Sequence, residues 1–208
     1  MLKKYRLPIL IALTFGLNVI IFFRAESTIE GLEKVLAECA RNSGRTSAAL
    51  NLAMLFMLGF FGLKSIYRDE SKKNIFRILM TIFAVNHLIH FFFVSRYFDS
   101  QLWELDIPSN LQGFVTFIFI LIVPIAIWTF KRLNKVLYFV ILAHFFNVTY
   151  FISKSFYSRY KPEDPAYLHR LGILIMIGAL LYIVYRVIRD WSTKLEPMIS
   201  SLDNYQDK

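Results

Sequence analysis

The sequence predicts an all-α integral membrane protein, a six-transmembrane-helix bundle with both termini cytoplasmic. Three observations carry this. Hydrophobic residues make up 56% of the 208, with 21 Phe and 11 Tyr, more apolar surface than a soluble domain of this size needs. Six runs are long enough to cross a bilayer core, which takes ~20 residues. Lys and Arg are also shared unevenly between alternate connections. Of the 24, 15 fall on the side that holds both termini and 9 on the other, and the positive-inside rule makes the richer side cytoplasmic. The expected organisation is a transmembrane domain over 1–190 and a polar cytoplasmic tail over 191–208.

The first run, Leu7–Phe23, follows Lys3, Lys4 and Arg6 as the core of a signal peptide would. The segment "FFRAEST" behind it lacks a small-x-small cleavage site, so the run reads as an anchor. In the outer connection that follows, Ile29, Leu32, Val35, Leu36 and Cys39 recur at helical spacing. Ser27 and Glu30 fit a capping box and Gly44 a terminator, which predicts a short amphipathic helix on the outer surface. Cys39 on its apolar face reads as a small buried hydrophobe. The second run is Ala48–Ile66, and the basic stretch "KSIYRDESKKNIFR" after it reads as a topogenic cytoplasmic loop. The third run is Ile78–Tyr97. An acidic connection with Trp103 as interfacial anchor leads to the fourth, Gly113–Phe130, which Pro124 should kink. The fifth is Val136–Phe156. Two prolines should keep "SRYKPEDPAYLHR" irregular until about Tyr167, and His169 then stands as an ordinary polar residue at the outer entrance of the last run, Leu171–Ile188.

Several function classes are excluded or disfavoured. The net charge of +9 follows membrane topology, so nucleic acid is not an expected partner. The single cysteine rules out a disulfide framework within the chain. There is no Gly-rich phosphate loop. No Asp or Glu lies inside any run, which removes a glycosidase-type carboxylate pair and disfavours a proton-coupled carrier built on a buried carboxylate. No hydrolase constellation is assembled either.

What stands out is histidine in the apolar runs. The third carries His87 and His90 beside Asn86; the fifth carries His144 with Asn147 three residues on. Counted from Arg77 and Lys135, His87 and His144 both start ~14–15 Å into the membrane at ~1.5 Å per residue. Two imidazoles at one depth on different helices are what a six-coordinate haem b requires. Phe83, Ala84, Phe91, Val140, Ile141, Val148 and Phe151 would wall it, with His90 and Asn147 one turn outward as hydrogen-bonding neighbours. The other reading is a haem-free bundle, a transporter or membrane interaction protein, in which His87, His90, His144 and Asn147 bond between helices. Di-iron and zinc sites would need more ligands than the chain offers.

The stretches "SGRTSAALNLAMLF" and "RILMTIFAVNHLIHF", with His in the third and fifth spans, resemble the ferric reductase-like transmembrane domain family over about Gly44 to Arg189. The resemblance implies a haem b-binding electron-transfer protein, an oxidoreductase subunit of a bacterial inner membrane. His87 and His144 would be the axial iron ligands. Arg45, or Arg96 and Lys154, would meet the haem propionates. A separate flavin reductase or quinol would donate electrons to an outer-side reductase partner, ferric iron or oxygen. Two-haem relatives carry a second His where this chain has Ser100 and Gln101, and Tyr157 and Ser158. A single haem is therefore expected.

Overall fold

A hydrocarbon environment leaves backbone amides no partner but one another, so long apolar runs fold as helices. The computed structural model describes residues 6–100, 111–158 and 166–206. They form an all-α bundle: α1 (Arg6–Thr28), α2 (Leu32–Phe61), α3 (Leu63–Arg68), α4 (Glu70–Ser100), α5 (Leu111–Thr129), α6 (Lys135–Ser158) and α7 (Ala166–Gln206). All but α3 are long and apolar enough to cross a membrane. Trp103 and the two prolines before Ala166 lie outside the described residues.

The ends of the elements differ from expectation in three places. α1 continues to Thr28, which takes Ser27 into its last turn, where its hydroxyl donates to the Arg24 carbonyl at 3.0 Å rather than capping a new helix. The chain reverses at Gly31, whose φ of +92° is a conformation other residues adopt only with strain. From Leu32 one helix then runs unbroken through Gly44 to Phe61, so no separate surface helix exists. Gly44 serves packing instead: a Cβ there would lie 3.1 Å from His90 Cε1, and its absence lets α2 and α4 approach closely. Just before the basic stretch Gly62, at φ +72°, ends α2 and starts α3. Asp69 opens α4, its Oδ1 accepting from the amides of Ser71 (2.9 Å) and Lys72 (3.1 Å). These bonds satisfy donors that a helix N-terminus leaves free. The expected loop is thus mostly helix. α5 continues through Pro124, and α7 carries the polar C-terminal segment as helix to Gln206.

α2 and α4 pack along each other over the greatest length, with α1 against both, α5 between α4 and α6, and α7 against α2 and α6. The main core joins Met54, Leu55, Phe76, Met80, Phe83, Ile120, Ile141 and Phe145, all at most 1% exposed. A smaller cluster of Ala25, Val35, Leu36, Cys39 and Phe93 fastens the α1–α2 turn onto α4. Cys39 is fully buried there, the hydrophobe expected.

Candidate functional site

Several polar side chains inside the bundle are joined across helices. Asn86 of α4 is their centre: its amide nitrogen donates to the Ser43 carbonyl and to Ser47 Oγ, each at 2.9 Å. Its carbonyl oxygen accepts from Asn18 Nδ2 at 2.9 Å. Asn18 also donates to Thr14 O within α1, so α1, α2 and α4 are tied at one level. Ser47 Oγ lies 3.3 Å from His87 Nδ1, and one turn outward Ser43 Oγ lies 3.1 Å from His90 Nδ1. Asn51 and Thr149 join α2 to α6 (3.2 Å), and Asn147 donates to Thr116 of α5 (3.1 Å). Asn86, Asn51, Ser43 and Thr116 are completely buried, where an unmade bond would cost far more than a made one contributes.

His87 and His144 do not form the expected haem site. Phe83 packs against both imidazoles, its ring centre 5.7 Å from that of His87 and 6.3 Å from that of His144. Side-chain packing thus fills what was expected to be a porphyrin slot, and Ser47 engages the Nδ1 of His87. Among the described residues no group of three or more His, Cys, Asp or Glu comes together to hold a metal. The haem, its iron and the electron-transport and oxidoreductase reading are therefore withdrawn. The flavin reductase, quinol and outer-side reductase lose the redox group they would have joined. His144 instead stands edge-on to Phe83 and Phe145, fully buried, with neither ring nitrogen in a hydrogen bond.

Beside the network a cavity of about 180 Å³ opens between α2, α4, α5, α6 and α7. Its lining mixes polar residues, Arg41, Arg45, Ser47, His87, His90 and His169, with the rings of Phe91, Phe114, Phe117, Phe151 and Phe156; His87 lies against Phe117 and His169 against Phe156. Arg41 is paired with Glu38 at 3.0 Å, and the exposed Arg45 stands at the rim. His144 and Asn147 do not line this space. Nor do the other two basic residues considered at the sequence level: Arg96 pairs with Asp99 and covers Phe92, and Lys154 donates to Gln112.

No family model, curated protein or solved structure matches this chain. The site therefore rests on its own geometry. That geometry unites His87 and His90, adds Arg45 at the rim, and leaves His144 in the packed interior and the half-buried Asn147 outside the cavity. It also brings in residues that the sequence reading passed over. Thr14 and Asn18 sit one turn apart in an otherwise apolar run, a polar stripe that could have been noticed. His169, read as an ordinary polar residue, faces the cavity against Phe156, with ring centres 5.5 Å apart.

Proposed function

We propose that the chain is a haem-free polytopic membrane protein of the transporter class, inserted with both termini cytoplasmic, that takes a small amphipathic anion into the cavity beside its buried His/Asn network. The observation behind this is a cavity lined both by Arg, His and Ser and by several phenylalanines. A guanidinium at the rim suits a carboxylate or sulfonate, hydroxyl and imidazole groups behind it offer donors, and the phenylalanine rings suit a flat apolar body. The volume of about 180 Å³ is close to the ~150 Å³ of an apolar cavity that holds benzene. It falls below the ~300–1,000 Å³ of pockets for larger ligands. A single substituted ring is the largest group that suits it.

The test uses benzenesulfonate, which stays anionic at neutral pH. Protein-dependent, saturable uptake into proteoliposomes is expected, together with a raised melting temperature in detergent. Both should fall in Arg45→Gln, and Phe117→Trp should block the cavity without removing a charge. Uptake no faster than in protein-free vesicles, with no thermal shift, would sink the proposal.

A further inference from the structure

A second polar concavity lies at the other end of the bundle, where α3, the start of α4 and the α5–α6 connection meet. It is a cleft of about 1190 Å³. Six cations line it in addition to Lys73: Lys64, Arg68, Arg77, Lys131, Arg132 and Lys135. Glu70 is the one acid among the described lining residues, and it is already paired with Lys73. Charges that serve topology alone need only lie on one side of the membrane; these converge from three separate stretches of chain onto one space. Arg77 is held in place, its Nε donating to the Ile127 carbonyl at 3.1 Å while its guanidinium covers Trp128.

Tyr67 also lines the cleft. It is 8% exposed, and its hydroxyl has no hydrogen-bond partner within the protein. Burial pushes this phenol up to about 12, against a smaller opposite pull from Arg77, so it stays protonated and is a donor. A buried donor without an acceptor, on a residue that borders a space with a large excess of positive charge, suits an anion with several acceptor oxygens.

We propose that this cleft binds a phosphate group. The cleft is much larger than phosphate alone, and Leu133 and the half-exposed Phe139 lie among its lining residues. Both features favour a phosphate carried on an anionic phospholipid of the cytoplasmic leaflet, since basic pockets between membrane helices on that side suit such head groups. The chemistry is independent of the solute reading for the cavity; only its lipid-borne form shares the membrane orientation proposed above.

The experiment is native mass spectrometry of the full chain in detergent, with phosphatidylglycerol or phosphatidylcholine added. A parallel arm measures thermal stability in inorganic phosphate. Preferential retention of phosphatidylglycerol is expected. The exposed triple variant Arg68→Gln/Lys131→Gln/Arg132→Gln should weaken it on the order of a hundredfold, each Lys or Arg near a lipid surface being worth roughly a factor of five. Tyr67→Phe, which removes only the hydroxyl, should weaken it roughly three- to tenfold. Stabilisation by inorganic phosphate, lost in both variants and without preference between lipids, would assign the site to a soluble phosphate. Equal retention of both lipids with no effect of phosphate would overturn the proposal, as would variants that retain phosphatidylglycerol as well as the parent.

Discussion

Asn86 and His144 are both wholly buried, yet they face opposite consequences. Asn86 makes three bonds to three partners on two helices. Asn86→Ala removes all three, leaving Asn18 Nδ2 only its bond to Thr14 O and taking a donor from the Ser43 carbonyl and from Ser47 Oγ. At ~0.6 kcal/mol on average for a bond between membrane helices, plus the cost of stranded groups, the loss should be roughly 2–4 kcal/mol. Denaturation by sodium dodecyl sulfate followed by circular dichroism would read it. His144 makes no hydrogen bond and is held by aromatic edges. His144→Leu, close in volume, should therefore change stability by less than about 1.5 kcal/mol; a loss twice as large in the same assay would mean that its nitrogens do have a partner. The sequence made these histidines conspicuous but not their roles. A shared depth says nothing of which way each ring turns about its helix axis, and it was the side chain between them, Phe83, that decided the matter.

At the scale of the element, hydropathy located every long helix, because a run that cannot hydrogen-bond to its surroundings has to bond to itself. The junctions were harder to read. Gly44 looks like a terminator, but a glycine that ends a helix and one that admits a neighbouring helix are the same letter; only His90 on α4 tells them apart. Gly31 and Gly62 carry the positive φ that interrupts the helices. Asp69, in a stretch taken for loop, begins α4, and this gives a pH prediction. The Lys72 side chain first, and then the amides of Lys72 and Ser71, hold its carboxyl below the ordinary value. A carboxyl depressed in the folded state contributes stability above its unfolded pKa and loses it as pH falls through the folded one. The detergent-solubilised protein should therefore lower its melting midpoint on acidification more than Asp69→Asn does. Identical acid limbs for the two proteins would show that the cap carries no such linkage.

For the whole molecule, the two concavities lie at opposite ends, the aromatic-lined cavity near the α1–α2 turn and the basic cleft beside α3. Cys39, the one cysteine, is fully buried, so the parent protein should be silent to a membrane-impermeant maleimide. In the orientation proposed above, Glu30→Cys should label from outside intact cells and Lys131→Cys only after the inner face is opened. The reverse pattern would invert the orientation and place the basic cleft outside. The six-span count and the charge bias were legible because they are properties of composition along the chain. The cavity was not, since its lining comes from five helices and depends on how each is rotated.

The unbroken course of α2 has one more effect. Its 30 residues extend roughly 45 Å, against a hydrocarbon layer of ~30 Å. In the proposed orientation, with Phe61 taken as the inner boundary, the outer boundary would fall close to Asn42, which would put Arg41 and Arg45 near the level where acyl chains give way to head groups. Bilayer thickness then becomes a control on access. Longer acyl chains would draw the arginine rim toward hydrocarbon and relieve tilting of α2, whereas shorter ones would lift the mouth of the cavity toward water and favour tilting.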